Sequence, residues 1–235
     1  MMSRPFPTLF ITGTDTDVGK TFVSLLCLRV LARHNPVYLK PVQTGCADPD
    51  HDSDPAFVAR HLPGGLPRGM RAADCMSVCW RVPKAPLFAG PAFDLRQIID
   101  FVHGHTGQGP VVVEGAGGIL VPLDWRSSML DLAQALQAQV LVVARAGLGT
   151  INHSLLTVQA IQGRGCACCG VILMDAYNTV DGQSRRENMQ AIARLGGVPV
   201  WGVIGHEDPD TPSAEALNII AQSLGPISAK DQAFA

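Results

Sequence analysis

No run of apolar residues in the 235-residue sequence approaches the ~20 that a membrane-spanning helix needs. Positive charge is not in excess either. A formal net charge of -2 leaves no electrostatic case for nucleic acid or an anionic membrane as a partner. The first residues, Met1–Pro7, lack the apolar core of a signal peptide. Charged residues are scarce, 16% against 47% hydrophobic, which excludes an intrinsically disordered chain. There is no internal repeat and no low-complexity tract. Pairs of metal ligands at useful spacing are also missing. The seven cysteines include Cys75 and Cys79, four apart, and the cluster Cys166, Cys168 and Cys169, which leads into the apolar run Val171–Leu173. Thiols so placed read as small buried hydrophobes. The expectation is a soluble, cytoplasmic protein whose residues 1–235 form one domain with a sizeable core.

What is present is organised around residues 11–21, Ile-Thr-Gly-Thr-Asp-Thr-Asp-Val-Gly-Lys-Thr. An apolar run from Thr8 to Ile11 enters this stretch and an apolar-periodic segment leaves it. Strand, glycine-bearing loop, Lys-Thr and helix together make a context in which backbone N–H groups cradle phosphates. The helix start adds its positive dipole end. Lys20 would then reach the β- and γ-phosphates, and the Thr21 hydroxyl would hold Mg²⁺. Five residues separate Gly13 from Gly19, one more than in the standard Walker loop, so Thr14 stands where its first glycine belongs.

Taken in order, Thr8–Ile11 predicts a strand, residues 21–33 a helix and residues 36–40 a strand that Pro41 ends. Gln43, Thr44 and Gly45 then fall in a loop. An acidic run from Asp48 to Asp54 precedes a short helix over residues 55–61, capped by Ser53 or Asp54. Residues 62–93, rich in proline and glycine, read as irregular, the kind of long loop that often carries function. Asp94 caps a helix over residues 95–103. His61, His103 and His105 read as surface or capping residues. Strands are predicted at 110–114, 140–144, 170–174 and 198–204, and helices at 129–137, 150–164, 181–195 and 213–224. Strands that are apolar throughout and alternate with helices imply an α/β fold, mainly a parallel sheet with helices on both faces. Ligands bind such sheets outside the carboxyl ends of the strands. Lys20, Lys40, Glu114 and Asp175 lie at or just after predicted strand ends and so should share that edge.

Glu114 is followed at once by Gly-Ala-Gly-Gly, a run that permits close backbone approach to a ligand. Beside a phosphate loop it is placed to complete a Mg²⁺ shell, which takes one or two carboxylates with phosphate oxygens and water. Asp54 is either the second carboxylate or a helix cap in a solvated acidic run. Lys40 is either a surface lysine or a second cation for phosphoryl transfer.

Four blocks, Gly13–Thr21, Tyr38–Val42 with Thr44-Gly45, Val113–Gly118 and Gly149–His153, together resemble the dethiobiotin synthetase family. They stand in that family's order, and the long Gly13-to-Gly19 spacing is the family's own. The resemblance implies a P-loop NTPase-like fold and an ATP- and Mg²⁺-dependent ligase of biotin biosynthesis. It implies 7,8-diaminononanoate and CO₂ as substrates, with a carbamate formed, phosphorylated and closed to the ureido ring. By position it implies Thr21, Asp54 and Glu114 as metal ligands, and Lys20, Lys40 and Thr44 as the catalytic set. Lys40, Thr44 and Asn152 would bind substrate. Nucleotide contacts would come from Asp17, Val18, Gly19, Lys20, Thr21, Phe22, Asp54, Glu114, Gly115, Ala116, Gly117 and Asp175. It further implies a homodimer in which residues 148–152 of one subunit hold the substrate carboxylate of the other. Thr44 replaces a frequent serine and keeps the hydroxyl.

Three positions depart from the family pattern. Met174-Asp175 stands where an asparagine reads the nucleotide base, Gly205-His206-Glu207 replaces a proline-containing turn, and Asn188 replaces a tyrosine near the substrate carboxylate. Two other readings share the fold. A corrinoid amidotransferase-type synthetase would need an ammonia source for which the sequence has no domain. A chromosome-partitioning ATPase switch would carry a second lysine where Thr14 stands.

Overall fold

The structure is a computed structural model that describes residues 8–225, so the Met1–Pro7 reading lies outside the described residues. Strand β1 (Thr8–Gly13) runs into the phosphate loop and helix α1 (Lys20–Val30). Then come β2 (Val37–Leu39), β3 (Val42–Thr44), α2 (Asp54–His61), β4 (Val78–Trp80), α3 (Pro86–Ala89) and α4 (Leu95–His103). The second half alternates regularly: β5 (Val111–Gly118), α5 (Met129–Ala135), β6 (Gln139–Arg145), α6 (Thr150–Gly163), β7 (Ala167–Met174), α7 (Gly182–Gly196), β8 (Val200–Ile204) and α8 (Ala214–Ser223).

Six strands form one parallel sheet in the order β2-β5-β1-β6-β7-β8. Successive side chains on a strand point to opposite faces. Phe10 therefore packs into a core built with α4, α5, α6 and α7, while Leu9 and Ile11 pack into a core built with α1, α2 and α8. Both faces are covered, which is why the strands are apolar without alternation. Among the described residues no helix is long and apolar enough to cross a membrane.

Several boundaries differ from the sequence reading. The strand entered at residue 110 does not stop at Glu114 but runs to Gly118, and Gly13 pairs with Gly118 past a register shift. The glycines make this possible. A Cβ on Gly115 would sit 3.0 Å from the Phe10 ring, so the bare backbone lets β5 and β1 stay in contact. Residues 42–44 are not a loop. They form β3, which pairs in parallel with β4 in a separate two-stranded sheet, so residues 62–93 are more ordered than their composition implies. The first helix ends at Val30 and tightens into a 3₁₀ turn over Ala32–His34 before Asn35, at φ 50°, reverses the chain. Ser53, not Asp54, caps α2, through its side chain to the Ala56 N–H at 3.0 Å. All seven cysteines are free thiols; Cys75 is buried as expected, but Cys79, Cys166, Cys168 and Cys169 are only half-buried, and desolvation pushes the pKa values of Cys75 and Cys169 up to about 12.

Candidate active site

The phosphate loop fits tightly over the end of β1. A Cβ on Gly13 would lie 2.6 Å from the Asp15 carbonyl oxygen and 3.1 Å from Lys20 Nζ, so only glycine leaves room for the lysine to fold back. Lys20 Nζ donates to that Asp15 carbonyl at 2.9 Å. Gly19 caps α1 at φ 98°, a conformation glycine adopts without strain. Burial lowers the Lys20 pKa, and repulsion from Lys40 adds to the effect.

Lys40 leaves β2 as the chain turns at Pro41, its N–H anchored to the Cys75 carbonyl at 2.9 Å. Its ammonium reaches Asp54 Oδ2 at 2.6 Å, Glu114 Oε1 at 2.9 Å and the Gly115 carbonyl at 3.0 Å. Burial alone would lower its pKa, but the two carboxylates outweigh burial and raise it above the ordinary lysine value. Asp54 shows the mirror image. Burial works to raise its pKa, and Lys40 pulls it below the usual carboxylate range.

Glu114 is 1% exposed and accepts four hydrogen bonds, from Thr21 Oγ1 (2.9 Å), Lys40 Nζ (2.9 Å), Ser24 Oγ (2.9 Å) and Tyr38 Oη (2.7 Å). An ionised carboxylate in a protein core needs such partners. Lys20, Thr21, Lys40, Thr44, Asp54 and Glu114 line one cavity of about 530 Å³, joined at its rim by Asp17, Gly19, Phe22, Ala116 and Gly117. All six predicted catalytic and metal-binding side chains are therefore together. The donors Thr21, Asp54 and Glu114 offer a hydroxyl and two carboxylates, all hard oxygens, which suits Mg²⁺.

Sequence reasoning missed Tyr38, Ser24 and Gln43. Tyr38 and Ser24 fix one Glu114 oxygen, and Gln43 Oε1 accepts the Asp54 N–H at 3.2 Å. Ser24 lies four residues beyond Lys20, one turn along α1, and that spacing was the available signal.

A neighbouring hollow of about 280 Å³ is lined by Val18, Met174, Asp175 and Tyr177, and Asp17 and Gly19 border both cavities. Asp175 does not join Lys20, Lys40 and Glu114 despite sharing their edge of the sheet. Its oxygens accept the Thr179 and Val180 N–H groups, each at 3.0 Å, and Arg185 Nη2 at 2.6 Å, so these partners all come from the ten residues that follow it. Asn178 is likewise engaged, its Oδ1 accepting the His206 N–H at 3.1 Å. Asn152 lines a separate cavity of about 810 Å³ at the start of α6, shared with Leu148 and Asn188, and is not brought to Lys40 within the chain.

A family model described as an AAA domain matches residues 7–213. The chain is 40% identical over 204 residues to the ATP-dependent dethiobiotin synthetase BioD of Anaeromyxobacter sp. (strain K), covering 80% of this chain and 84% of that protein. It is 35% identical over 202 residues to the BioD of Bacillus subtilis (strain 168), covering 83% and 85%. Among solved structures, the cell division ATPase MinD of Pyrococcus furiosus superposes with a TM-score of 0.57 over 95% of this chain and 100% of its own, at 18% identity. That likeness shows a shared P-loop NTPase-like fold and nothing about the reaction.

Proposed function

The chain belongs to the dethiobiotin synthetase family, and from that premise we propose how its own residues divide the work of the reaction. The reaction is an ATP-dependent ligation. One amine of 7,8-diaminononanoate takes up CO₂ as a carbamate, ATP phosphorylates the carbamate, and the other amine closes the ureido ring. Dethiobiotin, ADP and phosphate leave.

The observation that carries the division of labour is the convergence of Lys20, Lys40, Asp54 and Glu114 on one cavity. Lys20 and the backbone of the phosphate loop bind the triphosphate. Lys40, kept cationic by two carboxylates, stabilises charge that builds on the carbamate and the transferring phosphoryl group, an effect that requires a charge already in place. Thr44 supplies a hydroxyl to the carbamate end of the substrate. Thr21, Asp54 and Glu114 would hold Mg²⁺. When bound, the ion neutralises phosphate charge. Ser24 and Tyr38 keep the Glu114 carboxylate fixed, so it need not reorganise as charge moves.

The substrate is an extended monocarboxylate, and its far end needs an anion site. We assign this to the start of α6 in a second copy of the chain. Asn152 is remote from Lys40 within one chain, and it is flanked by the exposed apolar Leu148 and Leu156, which suit a subunit interface. Asn188 lines the same cavity as Asn152 and donates from Nδ2 to the Ala146 carbonyl at 2.9 Å. The catalytic unit is a single domain, and its place is the cytoplasm, where ATP is available and free thiols persist.

The test is ATP hydrolysis by the purified protein. It is expected to depend on both diaminononanoate and bicarbonate. Hydrolysis that continues at the same rate without either would overturn the assignment. Lys40→Gln is expected to lower kcat far more than nucleotide affinity.

A further inference from the structure

Helix α1 has a second hollow at its other end. Its first turn lines the phosphate cavity through Lys20 and Thr21, while Leu28, Arg29 and, just past its end, Ala32 line a cavity of about 590 Å³. Lys20 and Leu28 stand eight residues apart on the helix, roughly 12 Å at 1.5 Å per residue. The outer wall is the loop from Leu62 to Gly69, the opening of the segment whose composition reads as functional. Gly64, Gly65, Arg68 and Gly69 all have left-handed φ there, from 59° to 83°. So contorted a loop is held by specific contacts, and two arginines make them.

Arg68 Nη1 donates to the His105 carbonyl and Nη2 to the Asn35 carbonyl, at 3.2 and 3.0 Å. Arg29 Nη2 donates to the carbonyls of His61, Pro209 and Asp210, between 2.6 and 3.1 Å. Carbonyls are dipoles and cancel no charge. Among the described residues neither guanidinium forms an ion pair, and each has a buried Nε–H without a partner. The nearby Asp210 carboxylate is turned to His61 Nδ1 at 2.8 Å. Burial lowers the Arg68 pKa with no carboxylate opposing it. Two cations thus border a hollow whose walls include the apolar Leu28, Leu62, Leu66 and Leu217.

We propose that this cavity is a second ligand site, distinct from the catalytic one, for a small monocarboxylate with an apolar body. The volume lies in the range of small-molecule pockets, the walls suit an alkyl chain, and the unneutralised guanidiniums suit one anionic head. Inorganic phosphate would leave the apolar wall bare, and an uncharged alcohol would leave the guanidiniums uncompensated. The site does not depend on the reaction assigned to the other end of α1.

The experiment is calorimetric titration of the full chain, saturated with ATP, using octanoate as the probe. Octanol, octylammonium and inorganic phosphate serve as controls. Octanoate is expected to bind at least tenfold more tightly than each control. Ala32→Glu places a carboxylate on the exposed rim of the hollow. It is expected to weaken octanoate at least tenfold and to raise Tm, with turnover unchanged. Arg68→Gln is expected to weaken octanoate as well, at lower Tm. Three results would each overturn the proposal: no saturable octanoate binding, octanol binding as tightly as octanoate, or octanoate binding unaffected by Ala32→Glu.

Discussion

Glu114, midway along β5, and Asp175, just past the end of β7, are carboxylates of one sheet, and both are buried, at 1% and 4% exposure. Their partners differ in origin. Those of Glu114 are Thr21, Ser24, Tyr38 and Lys40, between 74 and 93 residues away in the chain. Those of Asp175 are Thr179, Val180 and Arg185, four to ten residues away. One carboxylate ties three separate elements into a charged cluster that opens on a cavity. The other shapes the turn after its own strand. Burial of a charge therefore does not mark a site. The sequence distance of the groups that neutralise it separates the site from the loop.

The sharpest way to break this contrast is Lys20→Ala, which removes a cation from the Glu114 side. Turnover should fall on the order of 10²–10³-fold, the scale for losing one preorganised charge partner, with circular dichroism unchanged. Retained turnover above a tenth of normal in a folded protein would remove the phosphate loop from the mechanism. Next, Asp54→Asn and Asp175→Asn should part company. The first should lower turnover on the order of 10²-fold. The second should cost about 1–3 kcal/mol of stability, the scale for buried donors left unpaired, with little change in turnover. Stability against pH offers an independent check on Asp175. Burial works to raise its pKa, yet Arg185 and the loop N–H groups bring it below 3.8. Its contribution is therefore complete above 3.8 and lost as pH falls through the lower folded value. Asp175→Asn should flatten that acid limb, as chemical denaturation at a series of pH values would reveal.

A smaller effect concerns the interface. Asn152→Ala should raise the KM for diaminononanoate about tenfold at constant kcat, and sedimentation should give a dimer. An active monomer would refute the shared site. The smallest effect is nucleotide choice. Asp175 is engaged by the turn after its own strand, Asn178 Oδ1 by the His206 N–H beyond β8, and Met174 has no polar group to offer a base edge. GTP or CTP should then support kcat/KM within about tenfold of ATP, a gap of ~1.4 kcal/mol. A preference for ATP above a hundredfold would mean that other groups read adenine.

The parallel sheet was legible because its strands are apolar on both faces, and the Lys20–Thr21 junction because a glycine loop between strand and helix has few other uses. Strands β3 and β4 were not legible. Each is three residues long, Pro41 stands just before the first, and their pairing joins residues 36 apart at Val42 and Val78. Glu114 was recognised as a site residue but taken for a strand end, since glycines after a carboxylate usually signal a turn. Here they extend the strand by letting Phe10 lie against bare backbone. Tyr38 read as one more apolar strand residue. Only the fold reveals that its hydroxyl meets Glu114. Asp175 does stand just past its strand end, as its sequence position implies, but the N–H groups that meet its oxygens depend on how the next five residues turn and could not be read.

The pairing of β1 also bears on how the protein is made. Its two neighbours in the sheet are β5 and β6, which begin at Val111 and Gln139. During synthesis the strand that carries the phosphate loop emerges about a hundred residues before β5 and then waits for both partners. Nothing local can hold it, because β2, the next strand out, also pairs with β5. The loop is therefore assembled only after residue 145 has cleared the ribosome. At typical elongation rates of 5–20 residues per second, that leaves an apolar strand without its sheet for roughly 7 to 26 seconds. Strands paired at such separation form slowly even in a free chain. Nascent chains halted before β5 should thus be open to proteases and chaperones at β1. Those halted beyond β6 should protect it.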